Sequence, residues 1–313
     1  MMLETVIDVY IPVIGWTLLG FLLWQSPLAV WTEIPRWLSR LLYWVGVPLQ
    51  VLAFVLQSPL SSEGLWVPVV VVASLAIGLA IAWGVCWRWP VEEQGSFLLA
   101  ATIGNTGFVG LAIAPYLVSA PYLGWVVLFS LTHNIVGSYG VGVWLASSFG
   151  QKNQQKPTWV HLRSLFTTPA LWAFGLGIVL QQGGDAAVET VQQFLNPAVQ
   201  WVPPVAFIFV GVLCQQIREW HLWRRSLLAA GIKTLVMPLI LGLGLRLLGW
   251  CPMPTLGMVL EAGMPTALAT IILAQEYAIA QSELIVLSLA ASSVGVLVAI
   301  PLWLWLFGGH GCL

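Results

Sequence analysis

Charge is what this sequence has least of. Only 7% of its 313 residues are Asp, Glu, Lys or Arg, where a soluble domain carries roughly a quarter. The formal net charge is −1 and no cationic cluster stands out, which argues against nucleic acid as a partner. Cysteine is also scarce. Cys86, Cys214, Cys251 and Cys312 are scattered, without a CxxC pair or metal-ligand spacing, so lipid-facing or packed thiols are expected and no metal or cofactor site. No Ser-His-Asp set, paired carboxylates, P-loop or HExxH run is present, and the chain does not read as an enzyme. The N-terminal MMLETVIDVYIPVIG has no basic region ahead of its apolar run. It reads as a retained first span, not a cleaved signal peptide.

Apolar residues fill the space that charge leaves. They make up 59% of the chain, and mean hydropathy is +0.91. No globular core could hide that much apolar surface, so the solvent must be lipid. A helix needs about 20 apolar residues to cross the hydrocarbon. Ten runs qualify as candidate spans: 6–24, 38–57, 65–87, 95–118, 122–146, 165–182, 195–217, 226–249, 255–275 and 284–307. Trp24, Trp37, Trp66, Trp87, Trp144, Trp220 and Trp250 lie near span ends, where an amphipathic ring suits the headgroup layer. Basic residues are one-sided. Arg36, Arg40, Arg88, Lys152, Lys156, Arg163, Arg218, Arg224 and Arg225 fall in alternate loops, while the loops at 58–64, 119–121 and 183–194 have none. The positive-inside rule then places both termini outside the cytoplasm, and the plasma (inner) membrane is the expected location.

Ten spans with both ends on one side allow two five-span halves of opposite topology. Residues 1–150 and 165–313 would be the halves, joined by a short cytoplasmic loop at 151–164. Pro12 and Gly20 of span 1 recur as Pro169 and Gly177 of span 6, 157 positions on. Pro48 recurs as Pro204, and the interruption around Asn105 in span 4 recurs 160 positions later at Gly263-Met264-Pro265 in span 9. Inverted repeats with broken helices in matching positions are the pattern of secondary transporters, which bind substrate where the breaks meet.

Both interruptions lie about ten residues into their spans, near the bilayer midplane at about 1.5 Å per residue. A break there frees backbone N–H groups at the start of one half-helix and C=O groups at the end of the other. The N-terminal half-dipole favours an anion. The competing reading is that Gly104 and Gly107 only allow close helix packing. Asn105 and Thr106 between them, and the Gly263-Met264-Pro265 break in the matching helix, favour a small polar pocket built largely from backbone.

The stretch GNTGFVGLAI (104–113) resembles the fourth-span signature of the auxin efflux carrier family, which includes plant PIN-FORMED proteins and bacterial malate and malonate permeases. EAGMPTALATIILAQEY (261–277) resembles its ninth-span signature and KTLVMPLI (233–240) its eighth-span Lys–Pro pattern. The resemblance implies an all-α membrane protein of ten transmembrane helices in two inverted five-helix repeats. Spans 1, 2, 6 and 7 would form a scaffold domain and the others a transport domain, with helices 4 and 9 broken and crossing at their centres. A homodimer through the scaffold domain is an expectation of the same kind. The resemblance also places Asn134 beside the crossover. Two departures weaken the kinks: Ala112 and Thr270 stand where relatives have proline. Pro115 is expected to supply part of the span-4 kink. The short loop at 147–164 does not imply auxin itself as substrate.

Few polar groups remain at membrane depth. Asn105 is the first candidate for substrate contact, its amide offering two donors and an acceptor; a helix-to-helix hydrogen bond is the alternative. Thr106, Gly107, Asn134, Gly263, Met264, Pro265 and Thr266 complete the expected binding set. Coupling candidates are Glu261, His133 and Lys233. Each has a plainer reading: a solvated vestibule carboxylate, a packed hydrogen-bonder and a snorkelling side chain. Gln50 and Gln57 read as scaffold hydrogen-bonders. The leading expectation is a secondary carrier of a small organic anion, auxin-like or dicarboxylate, driven by membrane potential or a proton gradient, with elevator or rocking motion between the domains. A sodium-coupled organic-anion symporter of the bile-acid type and a non-transporting small-molecule sensor are the alternatives.

Overall fold

The computed structural model describes residues 2–24, 34–57, 63–150, 169–214 and 222–308. Lys152, Lys156, Arg163 and Arg218, used above to orient the chain, lie outside the described residues. All regular structure among the described residues is helical, apart from one isolated antiparallel bridge. The first half contains α1 (Met2–Trp24), α2 (Ile34–Leu41), α3 (Val47–Gln57), α4 (Val67–Cys86), α5 (Val91–Thr102), α6 (Leu111–Leu117), α7 (Leu123–Thr132) and α8 (Val143–Phe149). The second contains α9 (Pro169–Gln182), α10 (Asp185–Val199), α11 (Val202–Cys214), α12 (Trp223–Gly231), α13 (Met237–Leu247), α14 (Pro252–Ala262), α15 (Leu268–Tyr277) and α16 (Glu283–Phe307). π-helical turns at Leu42–Gly46, Thr106–Gly110, His133–Gly142 and Ile232–Val236 link several of these into longer rods.

Among the described residues, four rods are long and apolar enough to cross a membrane: Gly64–Cys86, Ala120–Phe149, Trp223–Leu247 and Glu283–Phe307. Their outward faces are apolar too, with Val298 and Trp305 each more than two-thirds exposed. Surface of that kind is stable against lipid, so the protein is an integral membrane protein.

Two features differ from the sequence reading. Residues 183–194, expected as a loop, belong mostly to α10. Val188, Val191 and Leu195 repeat at helical spacing and turn toward the core formed by α3, α9 and α11. Cys251, expected as a free thiol, is disulfide-bonded, whereas Cys86 is a free, buried thiol.

Glycines set how closely the helices approach. A Cβ at Gly20 would run into the Ile208 backbone, and one at Gly211 into the Thr17 backbone, so α1 and α11 meet main chain to main chain. Gly177 of α9 instead receives the Val55 side chain of α3. Small residues at such contacts supply van der Waals packing where lipid removes any hydrophobic drive between helices.

Candidate functional site

Two helical pairs, α5 with α6 and α14 with α15, are separated by breaks, and the breaks meet. After Thr102 the chain leaves α5 in an extended conformation at Ile103 and re-enters helix at Thr106. After Ala262 it leaves α14 and re-enters helix at Leu268. Between the breaks, the Asn105 N–H donates to the Pro265 carbonyl at 2.7 Å and the Ala267 N–H to the Ile103 carbonyl at 2.9 Å. These bonds flank a Gly104–Thr266 antiparallel pair. Backbone groups opened by the breaks thus satisfy one another, as hydrocarbon surroundings demand. The same register sets Asn105 opposite Pro265, 160 positions apart, the offset between the two interruptions in the sequence.

Side chains finish the two breaks. The Asn105 Oδ1 accepts from the Phe108 N–H at 3.3 Å, capping the second half of its helix. Ser130 of α7 donates its hydroxyl to Thr106 Oγ1 at 3.2 Å. On the other break, the Thr266 N–H donates to Ser292 Oγ of α16 at 3.0 Å, and the Thr266 hydroxyl donates to the Ala100 carbonyl at 2.9 Å. Thr270 donates its hydroxyl to the Ala267 carbonyl at 2.5 Å, closing the first turn of α15. Ala112 lies buried within α6. Both breaks therefore persist without proline at 112 or 270, because hydrogen bonds between the two breaks and to neighbouring helices hold them.

Pro115 lies within α6 and has no N–H for the Leu111 carbonyl one turn back. Gln50, on α3, supplies the missing donor: its Nε2 reaches the Leu111 oxygen at 3.3 Å. This glutamine is thus tied to the broken helix itself.

Burial sorts the candidates into two layers. Asn105, Gly107, Phe108 and Asn134 are partly exposed and form an open edge. A Cβ at Gly107 would lie 3.5 Å from Asn134 Nδ2, so these residues face one another. Asn134 Nδ2 donates to the Ser130 carbonyl at 2.9 Å. Phe108 meets Phe209 of α11 edge-on, with ring centroids 6.2 Å apart. Thr106, Gly263, Met264, Pro265 and Thr266 are buried behind that edge. Gly263 faces the Trp303 ring, which any Cβ there would strike.

The charged candidates are buried as well. Lys233 is 3% exposed and does not snorkel; its Nζ donates to the Ala262 carbonyl at 2.5 Å, at the open C-terminal end of α14. The same side chain lies against Gly104, where a Cβ would come within 2.6 Å of Lys233 Cε. Glu261 is 1% exposed, so it is not a solvated vestibule carboxylate in this conformation. A Cβ at Gly110 would approach its Oε1 to 2.5 Å, and neither carboxyl oxygen has a hydrogen-bond partner. His133 stacks on Phe129 at 6.3 Å and is likewise buried, with the Thr102 backbone beside its ring and neither nitrogen in a hydrogen bond of normal geometry. The candidates the sequence reading missed are Ser130 and Ser292. Mid-helix serines carry no special signal in sequence, and only the fold brings them against the breaks. Among the described residues no cluster of His, Cys, Asp and Glu could hold a metal ion.

No family model matches the chain. It is similar to a protein of the archaeon Methanothermobacter thermautotrophicus (strain Delta H) described as an uncharacterized transporter, with 24% identity over 306 residues and 96% of each chain covered.

Proposed function

We propose that the protein is a secondary transporter, an efflux carrier of the auxin efflux carrier type, for a small organic anion held at the open edge of the crossover. The observation that carries this reading is the antiparallel pairing of two broken helices at Gly104–Thr266, beside the partly exposed amides of Asn105 and Asn134. The N-terminal end of the Thr106–Leu117 half-helix contributes a positive half-dipole there. Phe108 adds an apolar surface for the carbon skeleton. The likeness to a protein described as a transporter supports the same class of activity.

Internal symmetry supports two inverted repeats of five spans. Helix α1 packs on α11 through Gly20, and α9 packs on α3 through Gly177, 157 positions later. Thr106 pairs with Ser130, and their counterparts Thr266 and Ser292 pair in turn, 160 and 162 positions on. Likewise α5 packs on α16 while α14 packs on α7. In this reading α1–α3 and α9–α11 form the scaffold and the remaining helices move substrate. The Cys251 disulfide is in keeping with an outer face for the loop between α13 and α14, since disulfides persist in oxidising compartments. Lys233 balances the charge of the anion or of Glu261, which makes these two residues the coupling candidates.

Proteoliposomes loaded in turn with radiolabelled malate, malonate and indole-3-acetate test the reading by efflux under an imposed potential or pH gradient. Protein-dependent movement of at least one anion is expected. Efflux equal to that of empty liposomes for every anion, under both gradients, would refute it.

A further inference from the structure

We propose that one buried water molecule lies behind the crossover and joins His133 to the Lys233 ammonium, making His133 a positioning residue for that lysine. The site is a cavity of about 10 Å³ lined by residues that include Ser74, Thr102, His133, Lys233 and Ala262. That is about the room one water needs. A water in a protein interior also needs two to four polar partners, and this wall provides them. His133 is 3% exposed; the Thr102 backbone lies against its ring, and neither nitrogen makes a hydrogen bond of normal geometry to the protein. A neutral imidazole carries one donor and one acceptor on nitrogens that point apart, so the water's O–H meets the acceptor nitrogen and the donor nitrogen is left toward the Thr102 backbone. Lys233 has three donors and places one on the Ala262 carbonyl. Ser74 adds a hydroxyl from α4.

The cavity is too small for an organic ligand, which separates it from the open edge where Asn105 and Asn134 lie. A metal cation is disfavoured beside an ammonium. A halide ion, being larger than water, is the competing occupant. Lys233 is lodged between Gly104 of one break and Ala262 of the other, so whatever orients its ammonium bears on both. His133 sits at the start of the π-helical stretch His133–Gly142, and the ring reaches this cavity from a different helix than Lys233 does. The water would link the π-helical stretch that continues α7 to the crossover.

The test is a density map of the full-length parent at a resolution that shows ordered water, together with maps of His133→Phe and His133→Gln. In the parent, a peak within hydrogen-bond distance of a His133 nitrogen and of Lys233 Nζ is expected. His133→Phe should lose the peak and move Lys233 Nζ away from the Ala262 oxygen, while His133→Gln should keep both. No peak in the parent overturns the proposal, as does an anomalous signal in that cavity from crystals of the parent soaked in bromide. An unmoved Lys233 in His133→Phe overturns the positioning role, and should that variant not fold, loss of the peak in His133→Gln would do the same. These readouts involve no transport, so they fail separately from the transport reading.

Discussion

Asn105 has a divided side chain. Its Oδ1 is committed to the Phe108 N–H, while its Nδ2 makes no hydrogen bond among the described residues and lies on the open edge. Replacing it by Asp keeps the acceptor and removes the donors. Asn105→Asp should therefore fold with a melting temperature close to the parent's, and lose organic-anion affinity more than Asn105→Ala does, because a carboxylate repels the ligand. Calorimetric titration and a thermal scan of the two purified variants check this. Gly107 gives a graded test at the same edge. A methyl there makes ordinary contact with Asn134 at 3.5 Å, so Gly107→Ala should transport, whereas Gly107→Leu should fill the edge and abolish transport. Gly104 has no such latitude. Gly104→Ala sets a methyl against Lys233 Cε and Nζ, and overpacking of this kind costs roughly 1–3 kcal/mol. A lowered melting temperature is expected, and an unchanged one would mean that Lys233 relocates freely.

At the scale of elements, the breaks depend on donors brought from elsewhere. Gln50→Leu leaves the Leu111 carbonyl without its partner in a membrane interior, and a buried unsatisfied group costs about 1–3 kcal/mol. Ser292→Ala removes the acceptor for the Thr266 N–H, with a similar penalty. Both variants should melt earlier than the parent, while Gln57→Ala, at the end of α3, should not. The positions of the breaks were legible in sequence, since glycine, amide and proline interrupt apolar runs at 104–107 and 263–265. What fixes them was not. Ala112 and Thr270 read as weakened kinks, because the bonds that hold the breaks join residues about 160 positions apart. Helix α10 went unread for a different reason. Its apolar residues form a stripe, not a run, and a search for membrane-length runs passes over an amphipathic helix.

At the scale of the molecule, apolar composition alone required lipid as solvent, and one-sided Lys and Arg gave an orientation. The charged candidates were recognisable as unusual, but their surroundings were not. Lys233 was as readily a snorkelling residue and Glu261 a solvated one until the fold enclosed both. The orientation has its own test. Gly184 has a φ of +86° that favours glycine, so the neighbouring exposed Asp185 is the better labelling position. Asp185→Cys should react with an impermeant maleimide in intact cells, and Gln154→Cys should react only after permeabilisation. The opposite pattern at both positions would invert the topology.

The central claim is that the crossed breaks form the anion site, and affinity at Asn105 tests it most directly. With whichever of malate, malonate and indole-3-acetate the parent moves, the dissociation constant is measured on purified parent, Asn105→Ala and Gln57→Ala. A hydrogen bond to a charged ligand is worth about 1.5–3 kcal/mol, so Asn105→Ala should bind on the order of ten- to a hundredfold more weakly. Gln57→Ala should match the parent. If Asn105→Ala, folded and monodisperse, binds as tightly as the parent, the crossing of the two breaks is a packing device and the anion binds elsewhere.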